Sequence, residues 1–161
     1  MFLRIWRVLT IMLLAVSMSA AVAHLLEMPA KLTLDGPTWL MLLQTLYPPL
    51  FGPVAGTAEA GAVLCVLVLV LLVRRRHPAY GWTVLAAVCL VATHAAFWVW
   101  VAPVNAAMLP ATPTTLPANW HHLRNQWEYT HAARAVLQLV ALKALIWSII
   151  VETPRAPRGT F

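Results

Sequence analysis

The chain has 161 residues, 61% of them hydrophobic and 10% charged, with a formal net charge of +6. A soluble domain carries about 25% charged residues, so this composition excludes an ordinary soluble globule, and the length holds several spans of about 20 residues but no second folded unit. The positive charge does not point to nucleic acid, because the arginines stand at the ends of apolar runs and not on one continuous basic face.

In chain order, a first apolar run covers about residues 5–26, preceded by Arg4 and containing Arg7. Arg4 and Arg7, the apolar stretch and Ala21-Val22-Ala23 also have the form of a secretory signal, and cleavage there would leave His24 as the first residue, with amine and imidazole both free for copper. The run exceeds the usual signal core of about 7–15 residues, so an uncleaved anchor is expected. The stretch from Pro37 to Leu50, with Trp39, Leu40, Leu43, Leu46 and Tyr47, has the pattern of a short helix lying in the membrane interface. A second run, about 54–73, stops at Arg74, Arg75, Arg76 and His77. A third, about 80–101, is expected to break at Pro103. A proline- and threonine-rich loop then leads through Trp120, His121, His122 and Arg124 into a fourth run, about 127–151. Cys65 and Cys89 fall inside apolar runs and read as packing.

These runs predict a single all-α integral membrane domain over 1–161, a bundle of four transmembrane helices in the plasma (inner) membrane. Arg4, Arg7, Arg74, Arg75, Arg76, Arg155 and Arg158 oppose Lys31 and Arg124, which places both termini and the short middle loop in the cytoplasm and two longer loops outside. Lys143, deeper in the fourth run, is expected to snorkel toward the cytoplasmic side, and Trp82, Trp98, Trp100, Trp120, Trp127 and Trp147 near the span ends form an aromatic belt.

Polar residues at membrane depth are costly and mark sites or pathways. Here they fall at one level: His24 and Glu27 on the first span, Glu59 on the second, His94 on the third, Glu128 and His131 on the fourth. His24/Glu27 and Glu128/His131 are each three apart, so each pair shares a helical face. The Glu-x-x-His order of the second pair occurs in soluble four-helix di-iron proteins, and the six residues together form a candidate metal set for iron, copper, manganese or zinc, among which the sequence does not choose. Arg134 needs a counter-charge in the bundle, and Glu27, Glu59 or Glu128 would serve. An Arg–Glu network that only holds helices together is therefore the rival reading of the same residues, and it corresponds to a non-enzymatic accessory or structural subunit. A proton or ion carrier fits less well, because the cytoplasmic half has no matching acidic path.

The segments Ala23-His24-Leu25-Leu26-Glu27-Met28-Pro29, Pro103-Val104-Asn105 and Trp120 through Arg134 resemble a family of small four-span membrane proteins that includes anthrone oxygenases. Asn105, Trp120, Arg124, Trp127, His131 and Arg134 carry the resemblance most firmly. It implies oxidation of a tricyclic phenolic compound by molecular oxygen without metal or flavin, with His131 as base and Arg134 or Arg124 as the cation that stabilises the anion. The expected function is thus a membrane oxidoreductase acting on an apolar aromatic or quinoid compound. Its expected partners are the bilayer, a lipophilic small molecule, and a second copy or another membrane subunit.

Overall fold

The computed structural model describes residues 1–153; Arg155 and Arg158, counted above on the terminal side, lie outside the described residues. Six α-helices and two π-helical segments follow one another: α1 (Phe2–Lys31), α2 (Gly36–Thr45), π1 (Tyr47–Gly56), α3 (Thr57–Val73), α4 (Ala79–Ala96), π2 (Phe97–Val101), α5 (Ala102–Met108) and α6 (Trp120–Ile150). The π segments are continuous with their neighbours, so among the described residues four helices are long and apolar enough to cross a membrane: Phe2–Lys31, Tyr47–Val73, Ala79–Met108 and Trp120–Ile150. Among the described residues there is no strand. This is an all-helical integral membrane protein by length and composition.

The spans are longer than the apolar runs at the end away from Arg74–Arg76, here called the distal end. Pro29 sits in the last turn of α1 without stopping it, and Pro103 does not break the third span. Instead the backbone widens into π2, where the Ala102 amide bonds the Phe97 carbonyl, and the helix continues through Pro103 in the first turn of α5. The second span likewise starts at Tyr47, not near Val54, running through Pro48, Pro49 and Pro53 as π1.

The four spans form a ring in which α1 packs on α3 and α6, and α4 packs on the same two helices. Leu14, Val66, Leu69, Leu90 and Leu145 fill the centre of its lower half. Small residues at Ala62, Ala86, Ala87, Ala141 and Ala144 let the backbones approach, as expected where packing and not hydrophobic expulsion drives helix association. Leu64, Leu71, Val88 and Val136 are exposed on the outside of the ring, an apolar surface suited to lipid. At the arginine end Arg7, read from the sequence only as a topology signal, is buried and pairs with Glu152 at 2.7 Å, tying the first span to the turn after the last.

The distal end is roofed. Asp35 caps α2 by accepting the Thr38 amide at 2.8 Å, and Gly36 lets that helix lie close to the α6 start, since a Cβ there would stand 2.4 Å from Leu116 Cδ2 and 2.9 Å from Trp120. Trp39, Leu40 and Leu43 of α2 are buried in a second apolar cluster with Tyr47, Val104, Met108 and Trp127. Of the stretch 37–50 expected as one short helix, a helix forms at Gly36–Thr45, Tyr47 falls instead in π1, and the apolar face of α2 is covered by the protein's own distal segments.

Candidate functional site

Between the roof and the packed lower half lies a cavity of about 540 Å³, lined by α1, π1, the first turn of α3, the end of α4 with π2, α5 and α6. This falls in the range of about 300–1,000 Å³ typical of small-molecule sites. Its walls are aromatic and apolar, with Phe51, Phe97, Trp98 and Trp127 prominent. Its polar members are few: His24, Glu59, His94, Asn105, His131 and Arg134 among them. Four of the residues singled out as metal ligands thus line one cavity, and Glu27 and Glu128 do not.

The floor is organised by Glu59, which is 3% exposed. Its carboxylate accepts from Arg134 Nη2 at 2.7 Å, Gln138 Nε2 at 2.9 Å, His94 Nδ1 at 3.1 Å and Ser17 Oγ at 3.5 Å. All three other spans therefore converge on one carboxylate, the last of them through two residues, and the buried charge is both paired and hydrogen-bonded, the condition under which such a group is tolerated. The counter-charge that Arg134 requires is Glu59. Arg134 also donates from Nε to the Thr93 carbonyl at 3.2 Å. Its Nη1 has no partner among the described residues, and the guanidinium borders the cavity.

The roof has its own network. Lys31, 2% exposed, pairs with Glu128 at 2.8 Å and approaches Glu27 at 3.8 Å. Trp39 Nε1 donates to Glu128 at 3.0 Å, and the Tyr47 hydroxyl donates to Glu27 at 2.8 Å. The Lys31 ammonium also lies 4.8 Å from the Tyr47 ring and 4.9 Å from the Trp127 ring, within the range of cation–π attraction. From the sequence Lys31 reads as an outer-loop charge. The only signal that could have found it is its spacing of four from Glu27, which puts both on one face once α1 is continued past Pro29.

Hydrogen bonding fixes the tautomer of each cavity histidine. His131 Nδ1 lies 2.9 Å from the Trp127 carbonyl, which can only accept, so Nδ1 carries the proton and Nε2 keeps its lone pair. Lys31 Nζ, which can only donate, lies 3.5 Å from His24 Nδ1, so the His24 proton is on Nε2. Trp98 Nε1 donates to His94 Nε2 at 3.1 Å, so His94 gives its Nδ1 proton to Glu59. His24 and His131 face each other at 4.5 Å between ring centroids, and His24 stands edge-on to Tyr47 and Trp127. The two adjacent imidazoles thus hold opposite roles, one a base and one a donor.

This bonding bears directly on the expected metal set. His94 has both nitrogens engaged, Glu59 and Glu128 are committed to cations, and among the described residues no group of three or more His, Cys, Asp or Glu is placed to hold a metal ion. Only His131 retains the arrangement of a ligand, with Nδ1 held by a carbonyl and Nε2 free. Arg124, the alternative cation, is not at the cavity: it donates to the Leu34 carbonyl at 2.7 Å and stacks 5.0 Å from Trp120, holding the α1–α2 turn against α6. His121 is exposed, stacked on Trp120, and His122 is exposed beside it. Asn105 accepts from Trp127 Nε1 at 3.0 Å, which fixes that indole as a cavity wall.

No family model, curated protein or solved structure matches the chain.

Proposed function

We propose that the cavity is the active site of a membrane oxidoreductase that uses molecular oxygen to oxidise an apolar aromatic compound bearing an acidic phenolic or activated-methylene group. One observation carries this reading: the free Nε2 of His131 and the uncommitted Nη1 of Arg134 border the same aromatic-walled cavity. A base beside a fixed cation is what proton removal and anion stabilisation require. His131 takes the proton at Nε2, Trp127 holding the ring through Nδ1, and Arg134 stabilises the resulting anion while Glu59 holds the guanidinium in place. The electron-rich anion then reduces oxygen directly. For a methylene substrate one oxygen atom becomes the new carbonyl and the other leaves as water; a quinol gives up two electrons and two protons to become the quinone, and the oxygen leaves as hydrogen peroxide. The resemblance to anthrone oxygenases noted in the sequence implies the same chemistry. With the arginine turn in the cytoplasm, the cavity lies toward the outer face.

His131→Ala is expected to lower oxygen consumption with a lipophilic anthrone or quinol by about 100-fold or more, the scale of a lost general base, with the thermal transition in detergent unchanged. Unchanged turnover would sink the proposal. A second reading, in which the polar residues serve only to hold the helices, is favoured by the convergence of all four spans on Glu59. It predicts that no aromatic compound binds or turns over.

A further inference from the structure

The cavity is closed above and below but not on one side. Above it, Trp39, Tyr47 and Trp127 are at least nineteen-twentieths buried and are latched by the Lys31–Glu128 and Tyr47–Glu27 contacts. Below it, the Glu59 network fills the space between all four spans. Between the second and third spans, however, the wall thins. π1 packs on α1, α2 and α3, whereas π2 packs on α4, α5 and α6. The cavity residues along that seam are exposed: Gly52, Gly56 and Thr57 on one edge and Trp98, 62% exposed, on the other. A Cβ at Gly56 would meet nothing within 4 Å, and one at Gly52 only the Tyr47 carbonyl at 3.7 Å.

The depth of this seam follows from the helix rise. The 17 residues of α3 separate it from Arg74, which at 1.5 Å per residue is about 25 Å, inside a hydrocarbon core about 30 Å thick. With Arg74 at the headgroup level of one leaflet, the Thr57 end of the seam would lie level with acyl chains near the opposite headgroups.

We infer that this seam is a lateral mouth through which the cavity takes a flat aromatic amphiphile directly from the bilayer. The ligand would lead with a phenolic or quinone oxygen, which reaches Arg134 Nη1 and His131 Nε2, while its rings lie between Phe51, Phe97 and Trp98 and any alkyl chain stays in the lipid. This rests on the oxidoreductase reading for the identity of the site, but not for the route.

The test uses full-length protein in lipid nanodiscs and a naphthoquinone with a decyl chain as probe, its association followed by quenching of tryptophan fluorescence. Gly56→Phe fills the mouth without displacing any atom at its Cβ, and Gly81→Phe, equally open and near the arginine end, is the control. Gly56→Phe is expected to slow association about tenfold, a change readily resolved among mutants of one site, and Gly81→Phe to leave it unchanged. Association by Gly56→Phe at the wild-type rate, or no binding by the wild type, overturns the lateral route. Displacement of the probe by palmitate as readily as by unlabelled naphthoquinone overturns the aromatic class. Binding through the mouth without oxygen consumption in the presence of the corresponding quinol leaves the route standing and defeats the oxidoreductase reading instead.

Discussion

Glu59 is the residue on which the distal half depends. Its four hydrogen bonds are unequal in kind. Gln138 and Ser17 could turn to each other, which are already 3.2 Å apart, but Arg134 has no second carboxylate, since Glu128 belongs to Lys31 and Glu27 to Tyr47. Glu59→Gln leaves a guanidinium that is 9% exposed without a counter-ion. That should destabilise the protein by about 3–5 kcal/mol, the usual cost of removing one partner from a buried pair. The thermal or denaturant midpoint in detergent checks this, and the double variant Glu59→Gln with Arg134→Gln should lose much less than the sum of the two single changes, because the second removes the charge stranded by the first.

At the scale of elements, α2 is held by little of its own propensity, being ten residues long, short of the about 12–15 at which isolated helices become even marginal. It persists through its cap and through Trp39, Leu40 and Leu43. Asp35→Ala removes the bond to the Thr38 amide and should loosen the start of the helix, as N-cap losses do, seen as faster amide exchange through α2 with the four spans unaffected. The elements also show where sequence reading stops. The four apolar runs were legible, because composition carries them directly, and of the six polar residues expected at one level His24, Glu59, His94 and His131 line the cavity while Glu27 and Glu128 do not. The Arg134–Glu59 pairing was legible only as one of three options. The π segments were not legible at all: Pro103 looks like a stop in isolation, and only the neighbouring packing that widens Phe97–Val101 makes it a first-turn proline. Missing that, and extending α1 no further than Leu26, left Lys31 in a loop and Glu128 among the candidate metal ligands, when the two in fact neutralise each other.

For the whole molecule, three of the four buried cations among the described residues have a carboxylate on a different helix or turn, Arg7 with Glu152, Lys31 with Glu128 and Arg134 with Glu59, while Arg124 bonds a carbonyl instead. The last pair is 75 residues apart in sequence, which sets an order on biogenesis. The fourth span is the least apolar of the four and carries Glu128, Arg134 and Gln138, an unfavourable load for a helix leaving the translocation machinery alone. It becomes acceptable to the bilayer when the second span, made earlier, already offers Glu59. In cells, a cysteine replacing Thr114 should be labelled by an impermeant thiol reagent from outside, and one replacing Thr153 should be protected. With Glu59→Gln added, Thr153→Cys should become reactive in part of the population, because the last helix then fails to cross. The carboxylate that positions the arginine in the finished cavity would thus also act, during synthesis, as the docking point that admits the final helix to the membrane.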